Sequence, residues 1–400
     1  MEKQNRECYQ DTVKQFSVDP ITVQDQSEIA RQLGREGSGE AHLQQLASGA
    51  CRDDVQAASL LFDRSITVEQ IATASQRARD ACSARIETFA PLYISNECDA
   101  ECKMCGMRGP NDKLLRETAS RTQVKEQLEI LRARHMPGVA ILAGEYRHGD
   151  HREKMLGQAA EAMERALESG FSHVLINVGS LEEDEYKKFF SGVDRDRQGA
   201  LRPHLTMCTF QETYDPVVYS RFMGSNPGNP RADFQRRLSN FERAYAAGMR
   251  SANPGVLLGL NPDLTAEFLA LCAHIRHLND VGFSVYVSLP RLRKASGTEH
   301  RKGVSDDQLV RFVALVSLQF PRAKVVISTR ERPEIQRRLL PIIQVLTPGS
   351  PGVAPYTAQG ARFEVEASQF EVLDQRPFEA ILNEHAKEGA VIEGYDSGPG

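Results

Sequence analysis

Eight short apolar runs, each separated from the next by stretches with helical character, constrain this chain more than any other feature. They are IETFAPLYIS (86–95), GVAILAGE (138–145), HVLINVG (173–179), HLTMCTFQE (204–212), NPGVLLGL (253–260), FSVYVSL (283–289), AKVVISTRE (323–331) and IIQVLT (342–347). Between them lie amphipathic stretches such as RTQVKEQLEILRARH, KMLGQAAEAMERALESG, ADFQRRLSNFERAYAAG and LTAEFLALCAHIRHL. Strands alternating with helices argue for parallel pairing with the helices outside. Eight such units fit an α/β fold of the closed (β/α)8 TIM-barrel type, which needs roughly 250 residues. The alternative is an open doubly wound sheet, but no G-x-G-x-x-G follows the first strand.

These boundaries divide the chain into a helical N-terminal extension (1–85), a barrel (86–389) and a flexible tail (390–400). In the extension, QSEIARQL, EAHLQQLA and DDVQAASLLFDR carry apolar residues at helical spacing, and the serine of SITVEQIATASQRARD is placed to cap a fourth helix. The extension reads as a layer packed on the barrel, with a dimer surface or a lid as the alternative. A net charge of −5 gives no general attraction to nucleic acid or anionic lipid. The first residues lack the apolar core of a signal peptide, and no run approaches the length needed to span a membrane. Of eight cysteines three are clustered, which suits a reducing cytoplasm better than a disulfide framework.

In a barrel, chemistry belongs at the C-terminal ends of the strands. The first such end carries Cys98, Cys102 and Cys105 within PLYISNECDAECKMCGMR, a C-x3-C-x2-C spacing. Three thiolates on one loop can hold three irons of a cubane cluster and leave the fourth open, by the logic that separates catalytic from structural metal sites. A structural zinc site would want a second cysteine or histidine pair, and a thioredoxin-like Cys102-Lys-Met-Cys105 pair leaves Cys98 unexplained. The other strand ends supply Ser95 and Asn96, Gly144 and Glu145, Gly179 and Ser180, Gln211 and Glu212, Asn253, Arg291, Thr329 to Glu331, and Thr347. Ser180 reads as the N-cap of LEEDEYKKF, with Glu183 as the capping-box acid, and so stands outside the site.

LYISNECDAECKMCGMR, FQETYD, ADFQRRL, GVLLGL, SLPRLR, ISTRE and TPGSPGVAPY occur in this order. As an ordered set they resemble the aromatic amino acid lyase branch of the radical S-adenosylmethionine (SAM) enzymes. GEY, INVGS, RFMG and NPGVL bring the likeness nearest to the tryptophan lyases of that branch. The resemblance implies a [4Fe–4S] cluster on Cys98, Cys102 and Cys105, with SAM bound at its open iron. It implies that Gly144 and Glu145 receive the SAM amino group, and that Glu212 and Arg237 make further SAM contacts. Asp233 and Arg236, on the helix of Arg237, read as surface residues. Arg330 would clamp the substrate carboxylate, with Tyr93 near its amine and Thr347 nearby. Arg291 matches a loop element of these lyases, in which Lys294 replaces the usual proline. The implied reaction converts L-tryptophan to 3-methyl-2-indolic acid; the alternative is a tyrosine lyase giving p-cresol and 2-iminoacetate (dehydroglycine). The implied partners are the small-molecule amino acid and an electron donor such as flavodoxin or ferredoxin. No cysteine follows Cys272, which argues against the second cluster of the hydrogenase-maturation tyrosine lyases.

Overall fold

The computed structural model describes residues 14–50, 52–201, 204–298 and 303–395. Eight strands form the barrel: β1 (Arg85–Tyr93), β2 (Gly138–Leu142), β3 (His173–Asn177), β4 (Leu205–Glu212), β5 (Ser251–Val256), β6 (Ser284–Ser288), β7 (Lys324–Ser328) and β8 (Val345–Thr347). Each pairs in parallel with the next, and β8 returns to β1 through Glu87↔Val345 and Thr88↔Leu346. The sheet therefore closes, which settles the choice against an open doubly wound sheet.

Inside the barrel, Phe89, Ala140, Leu175, Cys208, Tyr286, Val326 and Val345 pack into an apolar plug. The N-terminal mouth beneath it is shut by a charged cluster. Glu87 on β1 pairs with Lys324 and accepts a 2.8 Å hydrogen bond from the Tyr286 hydroxyl, with His173 Nδ1 at 3.5 Å. Burial alone would raise the Glu87 carboxyl, but its bonds to His173, Lys324 and Tyr286 hold it at about 2. Charge is tolerated there because it is paired. With one end sealed, access is from the C-terminal mouth.

Helices Pro20–Glu36, Gly39–Ser48, Asp54–Ser59 and Val68–Cys82 make up the N-terminal layer. They pack on the flank formed by helices Leu264–Val281 and Asp306–Gln319, where Arg311 donates to the carbonyls of Leu60, Asp63 and Ile66. No residue of this layer lines the central cavity. Among the described residues no helix is long and apolar enough to cross a membrane.

Local details depart from the sequence reading. Thr67 with Gln70, not Ser65, caps the fourth helix, and Ser65 bonds Asp63 instead. The run ADFQRRLSNFERAYAAG breaks at Ser239 into Phe234–Leu238 and Asn240–Ala246. The tail expected to be flexible from residue 390 contains a ninth strand, β9 (Val391–Ile392), which pairs in parallel with Arg85 and Ile86 at the start of β1. Residues 396–400 of that tail lie outside the described residues.

Candidate active site

A cavity of about 210 Å³ opens at the C-terminal mouth, and Cys98, Cys102 and Cys105 line one side of it. All three are free thiols. Their loop is folded by polar side chains rather than by secondary structure. Asn96 Nδ2 donates to the carbonyls of Leu115 (2.7 Å) and Ala367 (3.0 Å), and Arg116 Nη1 donates to those of Asn96 and Met107. Behind the loop stands Gly144, where an added Cβ would lie 1.9 Å from the Glu97 carbonyl oxygen and 2.8 Å from Cys98 Cβ. Only glycine fits. The next amide, Glu145 N–H, points at Cys98 Sγ across 3.3 Å.

Burial pushes the Cys98 thiol up to about 11 and the Cys102 thiol up to about 12. A bound cation would reverse this, since coordination deprotonates a thiol. Among the described residues no three histidines, cysteines or carboxylates converge on a single ion position, as tetrahedral zinc would require. Thiolates that each hold a different iron of one cluster need no such convergence. The donor set and the glycine-backed loop fit a cluster of that kind.

Next to the cysteines lies a buried network of two arginines and two carboxylates. Glu145 Oε2 pairs with Arg237 Nη1 at 2.6 Å, and its Oε1 accepts the Ser180 amide at 3.0 Å. Arg231 Nη2 reaches Glu212 Oε1 at 3.1 Å, while its Nε lies 3.8 Å from Glu145 and has no hydrogen-bond partner among the described residues. Glu212 ends β4 at a register shift and with φ of +70°, so the irregularity turns its carboxylate toward the network. Arg231 lies in the loop NPGNPRAD, whose lack of periodicity hid it from the sequence reading; its one signal is a cation at the barrel mouth. All four side chains line the cavity.

Ser180 is not a helix cap: Glu182 and Glu185 form that capping box. Its amide holds Glu145, and its hydroxyl meets Asn240 at 3.0 Å and Arg243 at 2.8 Å. Asp233 is exposed and caps Phe234–Leu238, but Arg236 is only half-exposed and pairs with Glu182 at 2.6 Å. Arg291 leaves the ring of mouth residues. It is buried, grips both oxygens of Glu331, and also binds Asp306, away from the cavity lining. Ser95, Asn96 and Gln211 likewise lie outside the lining.

Arg330, which follows β7, lines the same cavity as the cysteines. Burial pulls its guanidinium down to about 10, and among the described residues no carboxylate pairs with it. Glu331 beside it is taken by Arg291 and Arg293. The Phe370 ring covers the Arg330 guanidinium, its centroid 3.2 Å from Cζ. Tyr93 is buried and donates its hydroxyl to Gln369 Oε1 at 2.6 Å. Thr347 lines the same wall, with its hydroxyl 3.5 Å from the Ile327 carbonyl. The sequence reading missed Gln369 and Phe370, which lie on a stretch without strand or helix periodicity.

The closed barrel, with three cysteines at its C-terminal mouth, is a (β/α)8 TIM-type fold. The chain superposes on the FeFe-hydrogenase maturase HydG from Carboxydothermus hydrogenoformans with a TM-score of 0.80, at 23% identity over 94% of this chain and 85% of that one. Against methylornithine synthase the TM-score is 0.66, at 16% identity over 88% and 97%. Residues 288–390 match the Biotin and Thiamin Synthesis associated domain. In sequence the chain is similar to 2-iminoacetate synthase of Escherichia coli K12, 27% identical over 303 residues, which is 74% of each protein. It is also similar to the Salmonella typhimurium LT2 enzyme of the same name, at 25% identity over 69% of each. Both of these relatives bear the name 2-iminoacetate synthase, which favours the tyrosine alternative over the tryptophan lyases that the motifs resemble.

Proposed function

We propose that this protein is a radical SAM lyase that breaks the Cα–Cβ bond of free L-tyrosine, releasing p-cresol and 2-iminoacetate. The observation that carries the reading is Arg330, a half-buried guanidinium that has no carboxylate partner among the described residues and lines the same cavity as the three cysteines. A cation partly withdrawn from water is costly to leave unpaired unless a ligand completes it, and an amino acid carboxylate matches its paired donors. Likeness to the two 2-iminoacetate synthases favours tyrosine over tryptophan.

Cys98, Cys102 and Cys105 would hold the [4Fe–4S] cluster, which, bound with SAM and given one electron by a donor such as flavodoxin or ferredoxin, supplies a 5′-deoxyadenosyl radical able to take a hydrogen atom. The Glu145 carboxylate is already engaged by Arg237 and Ser180. The SAM ammonium is therefore assigned to the Gly144 carbonyl, which takes no hydrogen bond among the described residues. Arg237 and Arg231, the latter paired with Glu212, would receive the SAM carboxylate. Arg330 holds the substrate carboxylate, Tyr93 and Thr347 flank its polar end, and the apolar wall of Phe89, Leu142, Leu175 and Phe210 receives its ring. Fixing the carboxylate presents the amine, rather than a weaker C–H bond, to the radical; selectivity is set by position.

The test is anaerobic turnover of the iron- and sulfide-reconstituted protein with a chemical reductant, SAM, and tyrosine, tryptophan or no amino acid. p-Cresol from tyrosine, matched by 5′-deoxyadenosine, is the expected result. 3-Methyl-2-indolic acid from tryptophan, without cresol from tyrosine, would return the substrate to the alternative.

A further inference from the structure

Residues 364–376 cross the barrel mouth as a roof fastened on both sides. On the cysteine side, Gly106 N–H donates to the Gln369 carbonyl at 2.9 Å, Leu115 N–H to Glu366 at 2.9 Å, and Asn96 Nδ2 to Ala367 at 3.0 Å. On the opposite side, Leu373 and Asp374 donate to the Thr329 carbonyl at 3.2 and 3.1 Å, and Glu371 N–H to Lys294 at 2.8 Å. The fit is tight: a Cβ added to Gly106 would lie 2.7 Å from the Ser368 carbonyl oxygen. Gln369, Phe370 and Val372, the middle of this span, line the cavity.

Phe370 meets Arg330 in a particular way. A guanidinium has two faces and a planar edge, and all five N–H donors lie in the plane. An aromatic ring against one face gains cation–π attraction without using a donor. Carboxylates, by contrast, bind at the edge. Glu331 is held by Arg291 and Arg293, and Glu212, whose charge also acts on Arg330, is held by Arg231, so among the described residues no carboxylate occupies the Arg330 edge. The ring of Phe370 is therefore the contact that sets the plane of this guanidinium, and the fastened roof sets the ring.

We propose that Phe370 is a positioning residue for the substrate carboxylate: by stacking on Arg330 it fixes the plane in which the guanidinium donates, and hence the direction from which an amino acid docks. This rests on the assignment of Arg330 as the carboxylate clamp. The ring acts through Arg330, so its removal weakens ligands that carry a carboxylate and leaves the same ligand without one unaffected.

Equilibrium dialysis on the reconstituted, SAM-loaded protein tests this with L-tyrosine and with tyramine, its analogue lacking the carboxylate. In Phe370→Leu the Kd for L-tyrosine rises about tenfold, on the scale of a desolvated cation–π contact, while the Kd for tyramine and the iron content stay unchanged. Phe370→Tyr keeps an aromatic face and restores L-tyrosine binding to within about twofold. If Phe370→Leu loses iron, Phe370→Met takes its place, keeping the apolar bulk without the ring. Equal weakening of both ligands would make Phe370 a mere roof residue, and unchanged L-tyrosine binding would remove any role; either overturns the proposal. Wild-type protein that binds tyramine as well as L-tyrosine would instead overturn the Arg330 assignment itself, and the proposal with it.

Discussion

Arg237 Nη1 lies 2.6 Å from Glu145 Oε2, and each side chain is only 5% exposed. Arg237 also donates from Nε to the Phe210 carbonyl at 3.0 Å, so the pair ties the end of β2 to the end of β4 beside the cysteine loop. Arg237→Met would leave the Glu145 charge buried with Arg231 3.8 Å away and the Ser180 amide as its remaining partners. Losing one member of such a pair costs about 3–5 kcal/mol. Urea unfolding of the protein before reconstitution should show that loss. A change below about 1 kcal/mol, the scale of an exposed pair, would mean that water replaces the arginine.

Gly144→Ala should damage the cysteine loop more than the barrel. The added methyl meets the Glu97 carbonyl and Cys98 Cβ, both on the loop. The expected outcome is a circular dichroism spectrum like that of the parent with iron and sulfide uptake severely reduced. Full cluster content in this variant would show that the loop can retreat from β2 without losing the site.

Arg330→Lys keeps the charge and loses the planar fork. If Arg330 clamps the substrate carboxylate, KM for the amino acid should rise by about 10–100-fold, the cost of roughly 1.5–3 kcal/mol for a charge-assisted contact. SAM cleavage in the absence of amino acid should be unaffected. A lysine variant with the parent's KM would make the arginine a plain point charge.

Glu267 and His274 set opposing pH dependences in the helix Leu264–Val281. Burial raises the Glu267 carboxyl to about 7 despite hydrogen bonds from Thr213, Asn261 and the Tyr214 amide. Burial lowers the His274 imidazole to about 3, where its Nδ1 meets the Tyr214 hydroxyl at 2.6 Å. Between an ordinary carboxylate value and about 7, the folded chain holds a proton on Glu267 that the unfolded chain lacks, so that contribution falls as pH rises. Between about 3 and an ordinary histidine value, the unfolded chain holds a proton that folded His274 lacks, so that contribution rises with pH. The two slopes cancel over roughly pH 4.5–6.5. Glu267→Gln removes one of them, and its stability should then fall on acidification through this window by about 1 kcal/mol per pH unit more steeply than the parent. Parallel stability–pH curves for parent and variant would show that Glu267 ionises normally.

The barrel was legible because parallel strands covered on both faces read as almost continuous apolar runs; GVAIL and HVLIN have no solvent face to mark with charge. Their ends were less legible. GVAILAGE reads as one strand to Glu145, but pairing stops at Leu142, where the chain turns Gly144 and Glu145 to meet Cys98. The cysteines and Arg330 were visible because a thiol cluster and a charge after an apolar run are local signals. Arg231 and Phe370 were not, since their roles come from partners distant in sequence: Glu212 and Glu145 for one, Arg330 for the other. The helix starts misled for a chemical reason. LEEDEYKKF offers acids in several registers, so a serine three residues before one of them mimicked a capping box that Glu182 and Glu185 make.

The roof over the cavity comes from the far end of the chain, whereas the cysteine loop follows the first strand. On the ribosome the three thiols therefore emerge well before the segment that covers them, and a nascent chain folds from its N-terminal side. A chain stopped short of residue 364 would carry every cysteine but lack the carbonyls of Glu366, Ala367 and Gln369 that brace their loop. The bracing of the cysteine loop is thereby completed only once residues 364–376 have been made, long after the thiols themselves.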